Sequence, residues 1–144
     1  MAQAQQLRSL FPGCKLEVGR RKLVWCYDIQ PTAMSRYYTV KIKYHPNSKG
    51  VMTPDIYILF PKHLPLAEGK TKLPHVYCNE SQKICLYDWR NNEWNPTMPL
   101  ATTIVPWASE WLYFYEVWVM TGEWYGEGNH PGGAKDKEGG LGLR

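Results

Sequence analysis

The chain has 144 residues and a net charge of +4, enough for one domain that buries about two-thirds of its unfolded surface; a second catalytic domain does not fit within it. No apolar run approaches the roughly 20 residues that span a bilayer, and Met1-Ala-Gln-Ala-Gln-Gln lacks the charged-then-apolar order of a signal peptide, so a cytosolic protein away from membranes is expected. The charge is uneven: residues 1 to 90 hold 14 Lys/Arg against 6 Asp/Glu, while residues 91 to 134 hold five Glu and no Lys or Arg. That split suits a protein partner, and nucleic acid is disfavoured because no basic cluster exceeds Arg20-Arg21-Lys22.

Ala2 to about Phe11 reads as a short amphipathic helix with Leu7, Leu10 and Phe11 on one side, stopped by Pro12-Gly13. Two strands are predicted next, Leu16 to Ile29 and Arg36 to Tyr44, with turn residues Pro31 and Ser35 between them. In the second, Tyr38, Val40, Ile42 and Tyr44 alternate with Thr39, Lys41 and Lys43, the pattern of a half-buried antiparallel pair. His45 to Gly50 is turn chemistry, Asp55 to Phe60 a third strand, and Pro61, Pro65 and Pro74 mark an irregular stretch that leads into the chemistry.

Late in the chain Trp107, Trp111, Leu112, Tyr115, Trp118 and Val119 recur at helical spacing behind Pro106, which predicts about four turns of helix ended at Thr121-Gly122. Its aromatic stripe is expected in the core, with Trp124 left accessible as an interface anchor. A domain over residues 1–125 is followed by a tail, 126–144, that holds seven glycines and is expected to be mobile.

Four cysteines, expected to be reduced, must each serve as core, ligand or nucleophile. Cys14 and Cys26 border strand residues and read as small core side chains. Cys78 and Cys85 form a Cys-x6-Cys pair with His75 three residues before it, which admits zinc or a resolving thiol. Structural zinc wants four ligands at short paired spacings, so Cys78 is read as a spectator, and neither metal nor cofactor is expected. Cys85 differs, standing in the run His75-Val-Tyr-Cys-Asn-Glu-Ser-Gln-Lys-Ile-Cys85-Leu86 ahead of Trp94-Asn95-Pro96. A thiolate attacks carbonyls at neutral pH, and its thioester stays reactive enough to pass an acyl group to an amine. Lys83, Arg90 or His75 would lower the thiol pKa if close, and Asp88 is a candidate to orient or deprotonate the amine. His130, in a Gly-Asn-His-Pro-Gly-Gly run, is read as a loop residue.

The order of helix, three-strand meander, proline-rich segment, cysteine loop, Trp-x-Pro and helix, over roughly Ala2 to Trp124, resembles the ubiquitin-conjugating enzymes. That family places a histidine about ten residues before the active cysteine, an Ile-Cys-Leu context around it and a Trp-x-Pro about eight residues later. Here His75 to Cys85 is ten, Ile84-Cys85-Leu86 is intact, and Trp94 begins nine residues after the cysteine. The resemblance implies an α+β, ubiquitin-conjugating-enzyme-like fold. It also implies that Cys85, the nucleophile, receives the C-terminus of a ubiquitin-like or other glycine-ended protein from an activating enzyme in trans and passes it to an amine. His75 would support the loop backbone in preference to acting as base.

The family's His-Pro-Asn is His75-Val76-Tyr77 here, so the amide for the oxyanion falls to Asn79, Asn91 or Asn92. The literal His45-Pro46-Asn47 lies forty residues before Cys85 and is turn chemistry. The short first helix and Trp-rich last helix look like the bacterial members that stand alone beside cyclic-nucleotide-making enzymes in cyclic-oligonucleotide-based antiphage signalling systems (CBASS). That likeness would make a cGAS/DncV-like nucleotidyltransferase the cargo. The competing class is a catalytically weak or inactive relative that binds protein partners through the same fold.

Overall fold

The alternation of Tyr38, Val40, Ile42 and Tyr44 with polar neighbours sets the centre of the fold, since all four are buried in strand β3 (Tyr38–Tyr44). The structure is a computed structural model that describes residues 2–45, 54–88 and 93–126. The turn expected after His45, together with Arg90, Asn91, Asn92, His130 and the tail beyond Gly126, lies outside the described residues.

Strand β3 pairs with β2 (Lys22–Ile29) on one side and β4 (Asp55–Phe60) on the other, both antiparallel. The single strand expected from Leu16 to Ile29 is instead two. β1 (Lys15–Gly19) folds back on β2 in a register running from Lys15↔Cys26 to Gly19↔Lys22, which leaves Arg20-Arg21 as a two-residue turn. The hairpin escapes sequence reading because Arg-Arg carries none of the Asn-Gly or Asp-Gly signal that such turns favour. A second hairpin, β5 (Val76–Cys78) and β6 (Lys83–Ile84), completes a six-stranded antiparallel sheet of order β1-β2-β3-β4-β6-β5.

Helix α2 (Ile104–Thr121) begins two residues before Pro106, so the proline sits in the first turn, where its missing N–H costs no hydrogen bond. Its apolar stripe, Ile104, Trp107, Ala108, Trp111, Leu112, Tyr115 and Trp118, is buried in one cluster with the sheet's inner face. Each such large side chain contributes about 1.5–3 kcal/mol. The helix stops at Gly122, whose φ of 79° is left-handed and whose N–H reaches the Trp118 carbonyl at 2.7 Å.

Helix α1 (Ala2–Leu10) buries Ala4 and Leu7, but Leu10, expected on the same side, is exposed. The chain turns sharply at Gly13, and Phe11 takes the inward place, edge-on to Trp25 at 5.4 Å. Gln3 then ties α1 to the segment before α2: it donates to the Met98 carbonyl at 3.0 Å and accepts from Leu100 N–H at 2.8 Å. The chain is thus α+β, with an N-terminal helix, an antiparallel sheet and a C-terminal helix. Among the described residues no helix is long and apolar enough to cross a membrane.

Candidate functional site around Cys85

A short antiparallel hairpin places Cys85. Strand β6 pairs with β4 through only Ile56↔Ile84 and Tyr57↔Lys83, so two ladder positions join the hairpin to the meander. The Ile58 N–H donates to the Gln82 backbone carbonyl at 3.1 Å, and side chains add further ties. Gln82, at the tip, adopts a φ of 53°, and its buried carboxamide accepts Leu64 N–H at 2.7 Å while donating to the Ile58 and Pro61 carbonyls at 2.9 and 3.0 Å. Asn79, expected as oxyanion support, is placed as a brace in the same turn. Its Oδ1 accepts Leu73 N–H at 2.7 Å and its backbone carbonyl accepts Gln82 N–H at 3.2 Å.

His75 enters through its backbone. Its φ of 50° turns the carbonyl so that it accepts both the Cys85 N–H at 3.0 Å and the Trp111 Nε1–H at 3.2 Å, joining the cysteine to helix α2. The imidazole stacks on Trp124 at 4.7 Å. Trp124, expected as an accessible anchor, is half-buried between His75, Trp111 and Phe114. Trp94 anchors the far side of the loop, its Nε1 donating to Thr103 Oγ1 at 2.9 Å and its ring edge-on to Tyr44.

Cys85 itself is 4% exposed. Its thiol donates to the Tyr87 carbonyl at 3.7 Å, a carbonyl that also accepts the Tyr77 hydroxyl at 3.3 Å. Burial pushes the thiol above its ordinary value; a hydrogen bond from Tyr77 pulls it down, and the charges of Asp88 and Glu93 push it up again. Of the cations expected to lower the thiol if close, Lys83 pairs with Asp55 at 3.3 Å and lies over the Tyr77 ring at 5.4 Å, and Arg90 lies outside the described residues; among the described residues the charges that act on the sulfur are those of Asp88 and Glu93.

The charges of Asp88 and Glu93 both act on the Cys85 sulfur, and the Glu93 carboxylate accepts Asp88 N–H at 2.9 Å. Two carboxylates at a buried thiol disfavour the thiolate but attract a lysine ammonium. Sequence reasoning missed Glu93, Gln82 and Tyr77. Only Tyr77 carried a signal: it stands eight residues before Cys85, where the resemblance calls for asparagine.

Cys78 sits across the ladder from Lys83, half exposed at the other end of the hairpin. Its thiol is pushed below the ordinary value by hydrogen bonds from Ser81. Among the described residues no three His, Cys, Asp or Glu side chains converge as a metal site.

The sequence model of the family described as Type II CBASS E2 protein matches residues 3–131. No curated protein matches the chain.

Proposed function

The chain belongs to the Type II CBASS E2 protein family, and from that premise we propose that it is a ubiquitin-conjugating-like transferase with Cys85 as the acyl carrier. The family implies a conjugating role. The observation that carries the finer reading is the anchoring of Cys85: its N–H is fixed by the strained His75 carbonyl, while its sulfur lies among a phenol and two carboxylates. Such fixing lowers the entropy cost of bringing thiol and thioester together.

In the first step the Cys85 sulfur forms a bond to the cargo's C-terminal carbonyl carbon as the donor's thiolate leaves, an exchange that needs little beyond positioning. In the second, a lysine amine drawn by Asp88 and Glu93 attacks that carbon and the Cys85 thiolate departs. His75 supports the loop through its carbonyl, and Asn79 acts through Leu73 and Gln82. The cargo is a glycine-ended or ubiquitin-like protein, with a cGAS/DncV-like nucleotidyltransferase the leading candidate, and an activating enzyme supplies it in trans.

A second reading has one observation in its favour: a buried thiol with raised pKa suits a catalytically weak member that binds protein partners. Incubation with the activating enzyme, ATP and the nucleotidyltransferase separates the two. A reductant-sensitive adduct absent in Cys85→Ala supports the transferase. Partner binding unchanged by Cys85→Ala, with no adduct trapped, supports the binding module.

A further inference from the structure

We infer that the Tyr77 hydroxyl is the hydrogen-bond donor that stabilises negative charge on the Cys85 sulfur, both when that sulfur attacks and when it leaves. The inference rests on the transferase reading for its role in transfer, while its geometry stands alone. The bond from Cys85 N–H to the His75 carbonyl fixes the hairpin so that Tyr77, two residues beyond His75 on β5, lies beside the sulfur. Hydroxyl and thiol converge on one acceptor, the Tyr87 carbonyl, at 3.3 and 3.7 Å, which brings the hydroxyl within reach of the sulfur. When the thiol loses its proton it no longer donates to that carbonyl, and the hydroxyl finds a charged acceptor in the sulfur. A donor placed where charge develops favours the charged state.

The surroundings of Tyr77 suit it to this task. Lys83, held by Asp55, places its ammonium over the ring at 5.4 Å. Burial and the bond to Cys85 keep the phenol protonated far above neutrality, so it retains the proton it must share. Asp88 and Glu93 oppose the thiolate, and Tyr87 lies close to it, so among the described residues the Tyr77 hydroxyl is the side-chain donor that offsets them.

In amine transfer the nitrogen forms the new C–N bond as the C–S bond breaks. The electron pair stays on the Cys85 sulfur, where the Tyr77 hydroxyl meets it, and the amine's proton passes to the Asp88 carboxylate.

The test uses the whole chain and iodoacetamide, with alkylation of Cys85 followed across pH by peptide mass spectrometry. Tyr77→Phe keeps the ring and removes only the donor. It is expected to slow Cys85 alkylation near neutral pH about tenfold, the worth of a hydrogen bond to a charged group, and to move the profile to higher pH. A ring-fluorinated tyrosine at position 77, a stronger donor of the same shape, is expected to move the profile the other way. Melting curves confirm that both variants fold.

An unmoved profile in folded Tyr77→Phe overturns the inference, as does faster alkylation, which would make the tyrosine a cover alone. A thioester on Cys85 with an unmoved profile keeps the transferase and removes Tyr77 from it. A moved profile without any thioester keeps the donor and removes the transferase.

Discussion

Strands β2 and β3 meet over seven paired positions from Leu23↔Tyr44 to Ile29↔Tyr38, whereas the cysteine hairpin joins the same sheet through a β6 of two residues. The meander is held by backbone ladders and an alternating apolar face. The hairpin is held by individual side chains, Gln82 to Leu64, Ile58 and Pro61, Asn79 to Leu73, and Trp111 to the His75 carbonyl. Ladders resist change at any one residue; single side-chain ties do not. Cys85 is thus mounted on the part of the sheet with fewer ladder positions, which is expected to loosen before the rest.

Ile42→Ala strikes the meander and carries the largest expected effect. Ile42 is fully buried, and truncation there costs about 2–5 kcal/mol. Chemical denaturation should report that loss through every probe at once.

Gln82→Ala strikes the hairpin. It leaves one N–H and two carbonyls in a buried pocket without their partner, a cost of about 2–3 kcal/mol. Amide exchange should accelerate over residues 76–85 well before it does in β2 and β3. Uniform acceleration across the sheet would erase the distinction between the two regions.

Gly122→Ala probes neither ladder nor hairpin and should cost about 1 kcal/mol. An added Cβ meets no atom within 4 Å there, so the left-handed φ is the whole penalty. A thermal melt measures it.

The smallest effect near neutrality is that of pH. The thiol of Cys85 and the phenols of Tyr38, Tyr77, Tyr87 and Tyr115 are all raised, mainly by burial. Each such group ionises more readily in the unfolded chain. The stability it contributes is complete below its ordinary value and is lost as pH climbs through about 9 to 10 and beyond. Denaturation midpoints should be level around neutrality and fall in alkali; midpoints that rise there would contradict the assigned burial.

The meander and α2 were legible in the sequence because burial there repeats, with period two along Tyr38–Tyr44 and helical period from Trp107 to Trp118. Cys85 stood out as a candidate because of its spacing from His75 and Trp94. Polar ties have no period: Gln82 meets Leu64 and Ile58 across 18 and 24 residues, and nothing local in either segment announces the pairing. The place of Lys83 was hidden for a related reason. Lys83 is near Cys85 in sequence, yet the fold gives its ammonium to Asp55, while Glu93 reaches the loop from beyond it.

Cys78 and Cys85 offer the most direct decision, since one hairpin carries both an accessible thiol of lowered pKa and a buried thiol of raised pKa. Chemical reactivity alone selects Cys78, whereas the proposed transfer selects Cys85. The chain should be incubated with its activating enzyme, ATP and nucleotidyltransferase, then digested without reductant and mapped by mass spectrometry. The cargo's C-terminus is expected on the peptide bearing Cys85, released by thiol reductant and lost in Cys85→Ala. Cargo found on Cys78, or an adduct that survives Cys85→Ala, would contradict the proposed transfer.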